Sequence, residues 1–357
     1  MMALNTKVTL VTGGNGFIGR HLVRLLRDRE ERLRVLDILD SPDCHLEGVE
    51  YLRGSVEDKA FVKTSMQDVS KVYHLAANPK LWHSDKGTFE RTNLFGTKNV
   101  LKAAEAAGVE RLVYTSTESI LKSYRRDQRG LIDERIHLEL CDMPGSYCRS
   151  KFLAEQAALQ ASKNGLDVVI VNPTLPVGPG DYLLTPPTKM MLDFVNQKLP
   201  QAYLECQLNM IDVRDVAFGH IQAMDKGGKG ERYILGHQNL SLSRLLKILE
   251  SFTGLTMPTT RIPYPVAWCA AVFSELIADY ITKRPPMAPL TGVRLARTPM
   301  VFDNTKAVSE LGLPLRPIED SLRDMLIWFQ DVGLFKGKKV FSLEKDKFQS
   351  VDSISVK

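Results

Sequence analysis

Cysteine is scarce and scattered in this chain. Its five cysteines, Cys44, Cys141, Cys148, Cys206 and Cys269, form no Cys-x-x-Cys pair and no metal-ligand spacing. Such an odd, dispersed set excludes a disulfide framework and a zinc module, predicts no bound metal, and fits reduced thiols in the cytoplasm. Charge of one sign is also lacking. Against 47 basic residues stand 42 acidic ones, a net +5 over 357 residues, and only the C-terminal "KGKK" gathers cations. Without a basic stripe there is no footprint for nucleic acid. Nor is there an apolar run of the ~20 residues that a bilayer-spanning helix needs. The longest, "VAWCAAVFSELIADYI" from Val266, is interrupted by Glu275 and Asp279. Those acids, and the want of a basic face, also argue against a peripheral contact with a membrane surface. The N-terminal "MMALNTKVTLVTGG" lacks the charged, apolar and cleavage regions of a signal peptide and reads as a first buried strand. No segment repeats internally.

What is present is an alternation of short β-branched runs with helical patterns. It predicts the α/β class, a doubly wound parallel sheet of Rossmann type built from βαβ units. "KVTLVTG" from Lys7, "RLRVLDIL", "VEYLRG", "KVYHLAA" from Lys71, "ERLVYTST" and "DVVIVNPT" are six strands in order. Between them lie a helix from Phe17 to about Glu30, one over "ERTNLFGTKNVLKAAEAAG", closed by a glycine where left-handed backbone is needed, and one carrying Tyr147. After Asn172 the texture changes, and "NPTLPVGPGDYLLTPPT" reads as a loop leaving the sheet. The expected layout is a dinucleotide-binding domain over 1–175, with strands near 208–236 returning to it. A smaller substrate-binding lobe over 176–335 and a mobile tail over 336–357 complete it.

"VTGGNGFIGR" stands between the first strand and first helix, where a pyrophosphate rests on a helix N-terminus. In this spacing Gly13 permits the tight turn, Gly16 lets backbone approach phosphate, and Gly19 lets helix and strand pack closely. Phe17 and Ile18 open the helix between the last two. Asp37 ends the second strand at the distance expected of a carboxylate that accepts from the adenosine ribose hydroxyls. The same charge repels a 2′-phosphate, which favours NAD over NADP as cofactor.

Tyr147 and Lys151, in "SYCRSKFLAEQAA", are four residues apart and therefore share one helical face. Alone the spacing says little. Taken with "TGGNGFIG", "HLAA" at His74, "TNLFGT" at Thr92, "YTST" at Tyr114, "NPTLPVGPGD" at Asn172 and "DVRDVA" at Asp212, it resembles the extended short-chain dehydrogenase/reductase superfamily, the NAD-dependent epimerase/dehydratase group. The likeness runs from about Lys7 to Gly333. Within the group the chain looks most like the hopanoid-associated sugar epimerase and dihydroflavonol-reductase-like branch, with steroid 3β-dehydrogenases more distant. The resemblance implies that Tyr147 is the general acid/base at a carbinol or carbonyl. It implies too that Lys151 favours the phenolate and holds the nicotinamide ribose, and that Thr117 hydrogen-bonds the reacting oxygen, with Ser116 as the alternative. Leu75, Ala76 and Ala77 would pass beneath the dinucleotide, Asn93 would support the site, and Pro173 and Thr174 would meet the nicotinamide amide. Ser55 and Val56 stand where relatives carry an Asp and an apolar residue against adenine.

Departures from the group narrow the reaction. The order Thr117, Glu118, Ser119 lacks the second carboxylate of a 4,6-dehydratase. Gln207 and Asn209 stand near the place where sugar-nucleotide epimerases carry a diphosphate-gripping arginine, leaving Arg294 or Arg297 for that task, and Arg214 to fix local backbone. "PPTKMMLDFV", "YPVAWCAAVF" and Trp82 would line an apolar pocket or simply fill the lobe core. The expected function is NAD(P)-dependent interconversion of a secondary alcohol and a ketone on a terpenoid-, sterol- or flavonoid-like small molecule. The alternatives are epimerisation of a nucleotide-activated sugar with tightly held NAD, and a non-catalytic dinucleotide-binding scaffold. A homodimer like those of relatives would use the "FGTKNVLKAAEAAG" and Tyr147 helices as a four-helix bundle.

Overall fold

The structure is a computed structural model that describes residues 7–40, 45–125, 130–198 and 202–335. Cys44 and the tail over 336–357 lie outside the described residues.

Seven parallel strands form the central sheet: β1 (Val8–Thr12), β2 (Leu33–Asp37), β3 (Val49–Arg53), β4 (Val69–His74), β5 (Arg111–Thr115), β6 (Val168–Pro173) and β10 (Arg232–Leu235), in the order β3-β2-β1-β4-β5-β6-β10. β1, β2 and β6 are buried at every position, because a parallel sheet covered by helices has no solvent face. Neighbouring residues of one strand therefore serve two cores. Leu10 of β1 packs into a cluster with Val100, Ala104 and Ala158, while Val11 packs with Leu22, Leu26 and Val216 on the opposite face.

The helices on one face are α1 (Phe17–Asp28) and α7 (Val213–Lys226), which pack against each other. On the other lie α2 (Lys59–Ser65), a helical run of α3 (Gly87–Phe89), a π-helical segment Glu90–Gly96 and α4 (Thr97–Ala107), and then α5 (Gly145–Lys163). α4 stops at Gly108, whose φ of 68° is the left-handed backbone the sequence pattern demanded.

The loop expected after Asn172 contains a short strand, β7 (Leu175–Val177), despite its prolines. β7 pairs with β9 (Gln207–Asp212), which pairs in turn with β11 (Gln238–Ser241) in a separate three-stranded sheet. Of the two strands expected to return, β10 joins the main sheet and β9 does not. β8 (Ala202–Tyr203) and β12 (Thr260–Arg261) form a two-stranded sheet. With α6 (Pro186–Val195), α8 (Leu242–Thr253) and α11 (Ile318–Asp331) these strands enclose a third core. Met191, Phe194 and Val195 of "PPTKMMLDFV" lie inside that core. α9 (Tyr264–Ile277) and α10 (Leu290–Arg297) pack against each other at the surface, and of α9 only Ala271 is buried. Most of "YPVAWCAAVF" thus lies at the surface and not in the core with α6, and the acids that follow it, Glu275 and Asp279, turn inward. Among the described residues no helix is long and apolar enough to cross a membrane.

Candidate active site

The strand order reverses between β1 and β4, and the crevice outside the carboxyl ends of strands at such a point is where open α/β sheets take ligands. The predicted residues follow these carboxyl ends: Gly13 after β1, Asp37 closing β2, Leu75 to Ala77 after β4, Ser116 and Thr117 after β5, and Pro173 closing β6.

The turn after β1 has no room for side chains. Gly13 sits at φ 74°, and a Cβ there would come 2.7 Å from the Ala76 amide nitrogen. A Cβ on Gly19 would stand 2.2 Å from the Gly13 carbonyl oxygen. Gly16 caps α1 with extended backbone and no side-chain cap, and Phe17 and Ile18 start the helix. Asp37 is buried and oriented: its Oδ2 accepts from the Asn15 amide at 2.9 Å and its Oδ1 from the Leu39 amide at 2.9 Å. Burial raises this carboxyl above the ordinary aspartate range, with the amides of Leu39, Asn15 and Ile38 working against the rise.

Beyond β3, the Ser55 hydroxyl accepts from the Glu57 amide, and Val56 is buried, its carbonyl accepting from Asn99. The carboxylate nearby in sequence, Asp58, caps α2 through the amides of Ala60 and Phe61. The β4 loop is tied to the phosphate turn through Thr12, whose carbonyl accepts from Leu75 N and whose hydroxyl accepts from Ala76 N at 3.3 Å. Asn93 is fully buried. It accepts from the Asn78 amide at 2.7 Å and donates to the Ser150 hydroxyl at 3.0 Å, so it clamps the β4 loop to α5 one residue from Lys151. Thr174 is buried and held to Leu235 of β10, with its backbone N–H donating to that carbonyl at 3.0 Å.

Tyr147 and Lys151 share a face of α5 whose start is set by Gly145, packed so closely on Thr291 of α10 that a Cβ would meet its hydroxyl at 2.1 Å. Lys151 is buried, donates to the Thr115 carbonyl at 2.8 Å and lies 4.7 Å from the Tyr114 ring centre. Desolvation lowers its pKa to about 7, against the pull of Glu155. Burial pushes the Tyr147 phenol up, the Glu118 charge adds to the rise, and a hydrogen bond with Thr117 opposes it. The Lys151 ammonium is directed to the end of β5.

The Thr117 hydroxyl donates to Oε2 of Glu118 at 2.8 Å, and the Ser119 hydroxyl to Oε1 at 3.0 Å. Toward any further partner Thr117 is then an acceptor while Glu118 is ionised. Glu118 is buried, its carboxyl pushed up by desolvation and pulled down by Lys122. Lys122, also buried, donates to the Leu295 carbonyl at 2.7 Å. Sequence reasoning had weighed Glu118 only as half of a dehydratase pair and had missed Lys122. Adjacency to the strand-five threonine was a signal for the first, whereas the second has its partner 173 residues away. Ser116 is buried, and its hydroxyl finds no partner among the described residues.

The arginine candidates are occupied. Arg214 forms a fork with Asp212 and reaches Asp324 at 2.7 Å, while Arg294 and Arg297 lie over the rings of Tyr124 and Tyr264. Asn209 bonds His237 and Asn239.

A doubly wound sheet with a glycine-lined phosphate turn at its switch point defines a Rossmann-type dinucleotide-binding enzyme. The chain belongs to the NAD dependent epimerase/dehydratase family, whose sequence model matches residues 9–236, and with that family come NAD as cofactor and oxidoreductase or epimerase chemistry. It is 38% identical over 334 residues to the protein named "Putative dihydroflavonol 4-reductase" of Synechocystis, covering 91% of this chain and 95% of that one. It is 36% identical over 330 residues to a 2-alkyl-3-oxoalkanoate reductase of Stenotrophomonas maltophilia, covering 88% and 97%. The crystal structure of gox2253 superposes with a TM-score of 0.81 at 33% identity, over 92% of this chain and all of that one (100%).

Proposed function

We propose that the protein is an NAD-dependent reductase of an apolar ketone, interconverting it with the secondary alcohol. The observation that carries this is the arrangement of Tyr147 and Lys151 one helical turn apart on α5, with Lys151 donating to the Thr115 carbonyl at the carboxyl end of β5, where Thr117 follows. A protonated phenol is the form that delivers a proton to a carbonyl oxygen as it becomes an alcohol. NAD(H), when bound, supplies the hydride chemistry. The glycine turn of Gly13, Gly16 and Gly19 would take the pyrophosphate, Asp37 the adenosine ribose, and Leu75 to Ala77 the underside of the dinucleotide. Pro173, Thr174 and Lys151 would meet its nicotinamide end. A buried, unpartnered Ser116 hydroxyl at the end of β5 fits a site that awaits a polar ligand. Thr117 would donate to the ketone oxygen on turning away from Glu118, or accept from the hydroxyl of the alcohol, and Tyr147 holds the proton that is transferred. Asp37 also supports NAD over NADP, since its buried carboxylate would face a 2′-phosphate.

Gln207 and Asn209, standing where sugar-nucleotide epimerases carry a diphosphate-gripping arginine, favour the reductase over such an epimerase, and the reductases among the relatives agree. The test is NADH oxidation, followed by its absorbance, against a panel of 2-alkyl-3-oxo acids and aromatic ketones, run beside thermal-shift titrations with UDP, GDP, CDP and dTDP. Ketone-dependent oxidation without a nucleotide shift is the expected result. A shift with one nucleotide and no net oxidation would replace the reductase by the epimerase.

A further inference from the structure

α9 is turned inside out. Residues facing the protein are small or polar: Ala267, Ala271, Ser274, Glu275 and, just beyond the helix, Ala278 and Asp279 are buried or half-buried. Those facing outward are large and apolar. Val266, Phe273, Leu276 and Ile277 recur at helical spacing, and the π-helical turn Ala278–Thr282 continues the row with Tyr280 and Ile281. Phe273 is 67% exposed, Tyr280 78%, Ile281 76% and, a few residues on, Met287 73%. Soluble monomers rarely leave so contiguous an apolar surface uncovered.

The objection from the acids disappears in three dimensions. Glu275 accepts from the Leu290 amide at 2.8 Å and pairs with Lys86, while Asp279 accepts from the Trp82 indole at 2.7 Å and pairs with the same lysine at 3.1 Å. Both carboxylates are spent on holding α9 to the body. The remaining charges between 261 and 289 are Arg261, Lys283 and Arg284, all exposed and all cationic, at the two ends of the apolar row. Arg261 shares its charge with Glu205, so Lys283 and Arg284 make the basic rim.

We propose that α9 and the turn after it form a membrane-surface anchor, lying in the interface of a bilayer that carries anionic headgroups. An uncharged face of large apolar side chains suits the acyl boundary, and Trp268 and Tyr280 are the amphipathic aromatics that favour its polar edge. Cations at the rim are complementary to anionic headgroups. Such docking places lipid beside the candidate active site, because α10, packed on α9, contacts Gly145 through Thr291 and Lys122 through Leu295. An apolar ketone, as proposed above, would be drawn from that lipid, but the anchoring itself does not depend on the reaction.

The experiment is flotation of the purified full chain with phosphatidylcholine vesicles, with and without phosphatidylglycerol, at low and high salt. The wild type should float with the anionic vesicles and less so at high salt. Phe273→Asp with Ile281→Asp should lower the partition coefficient at least tenfold with the melting temperature unchanged. Lys283→Glu with Arg284→Glu should lose roughly tenfold on anionic vesicles and little on neutral ones. Wild type that stays unbound overturns the anchor, as does binding that survives Phe273→Asp with Ile281→Asp. A wild-type dimer that this double variant splits, without vesicle binding, would make the surface an interface between two copies.

Discussion

As the proposed proton donor, Tyr147 would work under opposing demands. Proton delivery to a ketone requires the phenol, and burial together with Glu118 preserves it. Return of the proton from an alcohol requires a phenolate, which the Thr117 hydroxyl, turned from Glu118, would favour. Removing the hydroxyl alone should therefore abolish chemistry while leaving the crevice intact. Tyr147→Phe is expected to lower kcat on any active ketone by about 10²–10⁴-fold. The NAD-induced rise in melting temperature should be retained. An unchanged kcat would show that Tyr147 is not the proton donor. At this scale the sequence was informative about residue identities and silent about their states. Tyr147, Lys151 and Asp37 stood out by spacing, but no spacing says that Lys151 is desolvated to a pKa of about 7 or that Thr117 gives its proton to Glu118. Those are properties of surroundings assembled from distant segments.

At the scale of elements, the phosphate turn and α1 act as one part. Gly19 lies within the first turns of a helix that must press against the turn that precedes it, and only a hydrogen in place of Cβ permits this. Gly19→Ala should cost about 1–3 kcal/mol through overpacking of the turn, seen as a lower melting temperature. It should also weaken the stabilisation by NAD, since relief of the clash moves the backbone that meets the pyrophosphate. A variant as stable as the wild type with undiminished NAD response would remove Gly19 from that role. The strand order of the first half was legible because each strand is a short run rich in β-branched and other apolar residues. Of the helices, α1 and α4 were legible from their apolar face and closing glycine, whereas the short α2 was not expected. β7 was not, since Leu175–Val177 is a strand only because β9 is there to pair with it. α9 misled for a related reason. Its composition suits a lobe core, and its sequence gives no sign of which neighbour covers which face.

For the molecule as a whole, buried histidines bind the layers together and make stability depend on acid. His220 of α7 donates from Nδ1 to the Val216 carbonyl and accepts from the Thr115 hydroxyl of β5 at 2.8 Å. His74 is likewise buried between Thr12 and Thr97. Desolvation lowers the pKa of His220 from 6.5 to about 4 and of His74 to about 3. Between pH 6.5 and 4 the unfolded chain thus takes up a proton at His220 that the folded chain refuses. Its stabilising contribution is complete above pH 6.5 and drains as pH falls toward 4. Asp215, raised to about 6 by burial, titrates in the opposite sense over part of this range, so the difference between variants is the informative quantity. His220→Gln should remove about 1.4 kcal/mol per pH unit from the slope of unfolding free energy in that window. Equal slopes in urea unfolding at several pH values would refute this.

Length, alternation of apolar runs and the order of short motifs by themselves determined the doubly wound sheet and the dinucleotide turn. They also determined that Tyr147 and Lys151 share one face of a helix, because each of these is written in residues close together in the chain. Tertiary structure alone decided the rest. It tied Arg214 to Asp212 and Asp324, set Arg294 and Arg297 over the rings of Tyr124 and Tyr264, and buried Glu118 and Lys122 behind Thr117. It also turned Glu275 and Asp279 inward, leaving the apolar side of α9 to face outward. Each of these outcomes depends on contacts between segments far apart in sequence, and desolvation and pairing energies exist only once those segments meet.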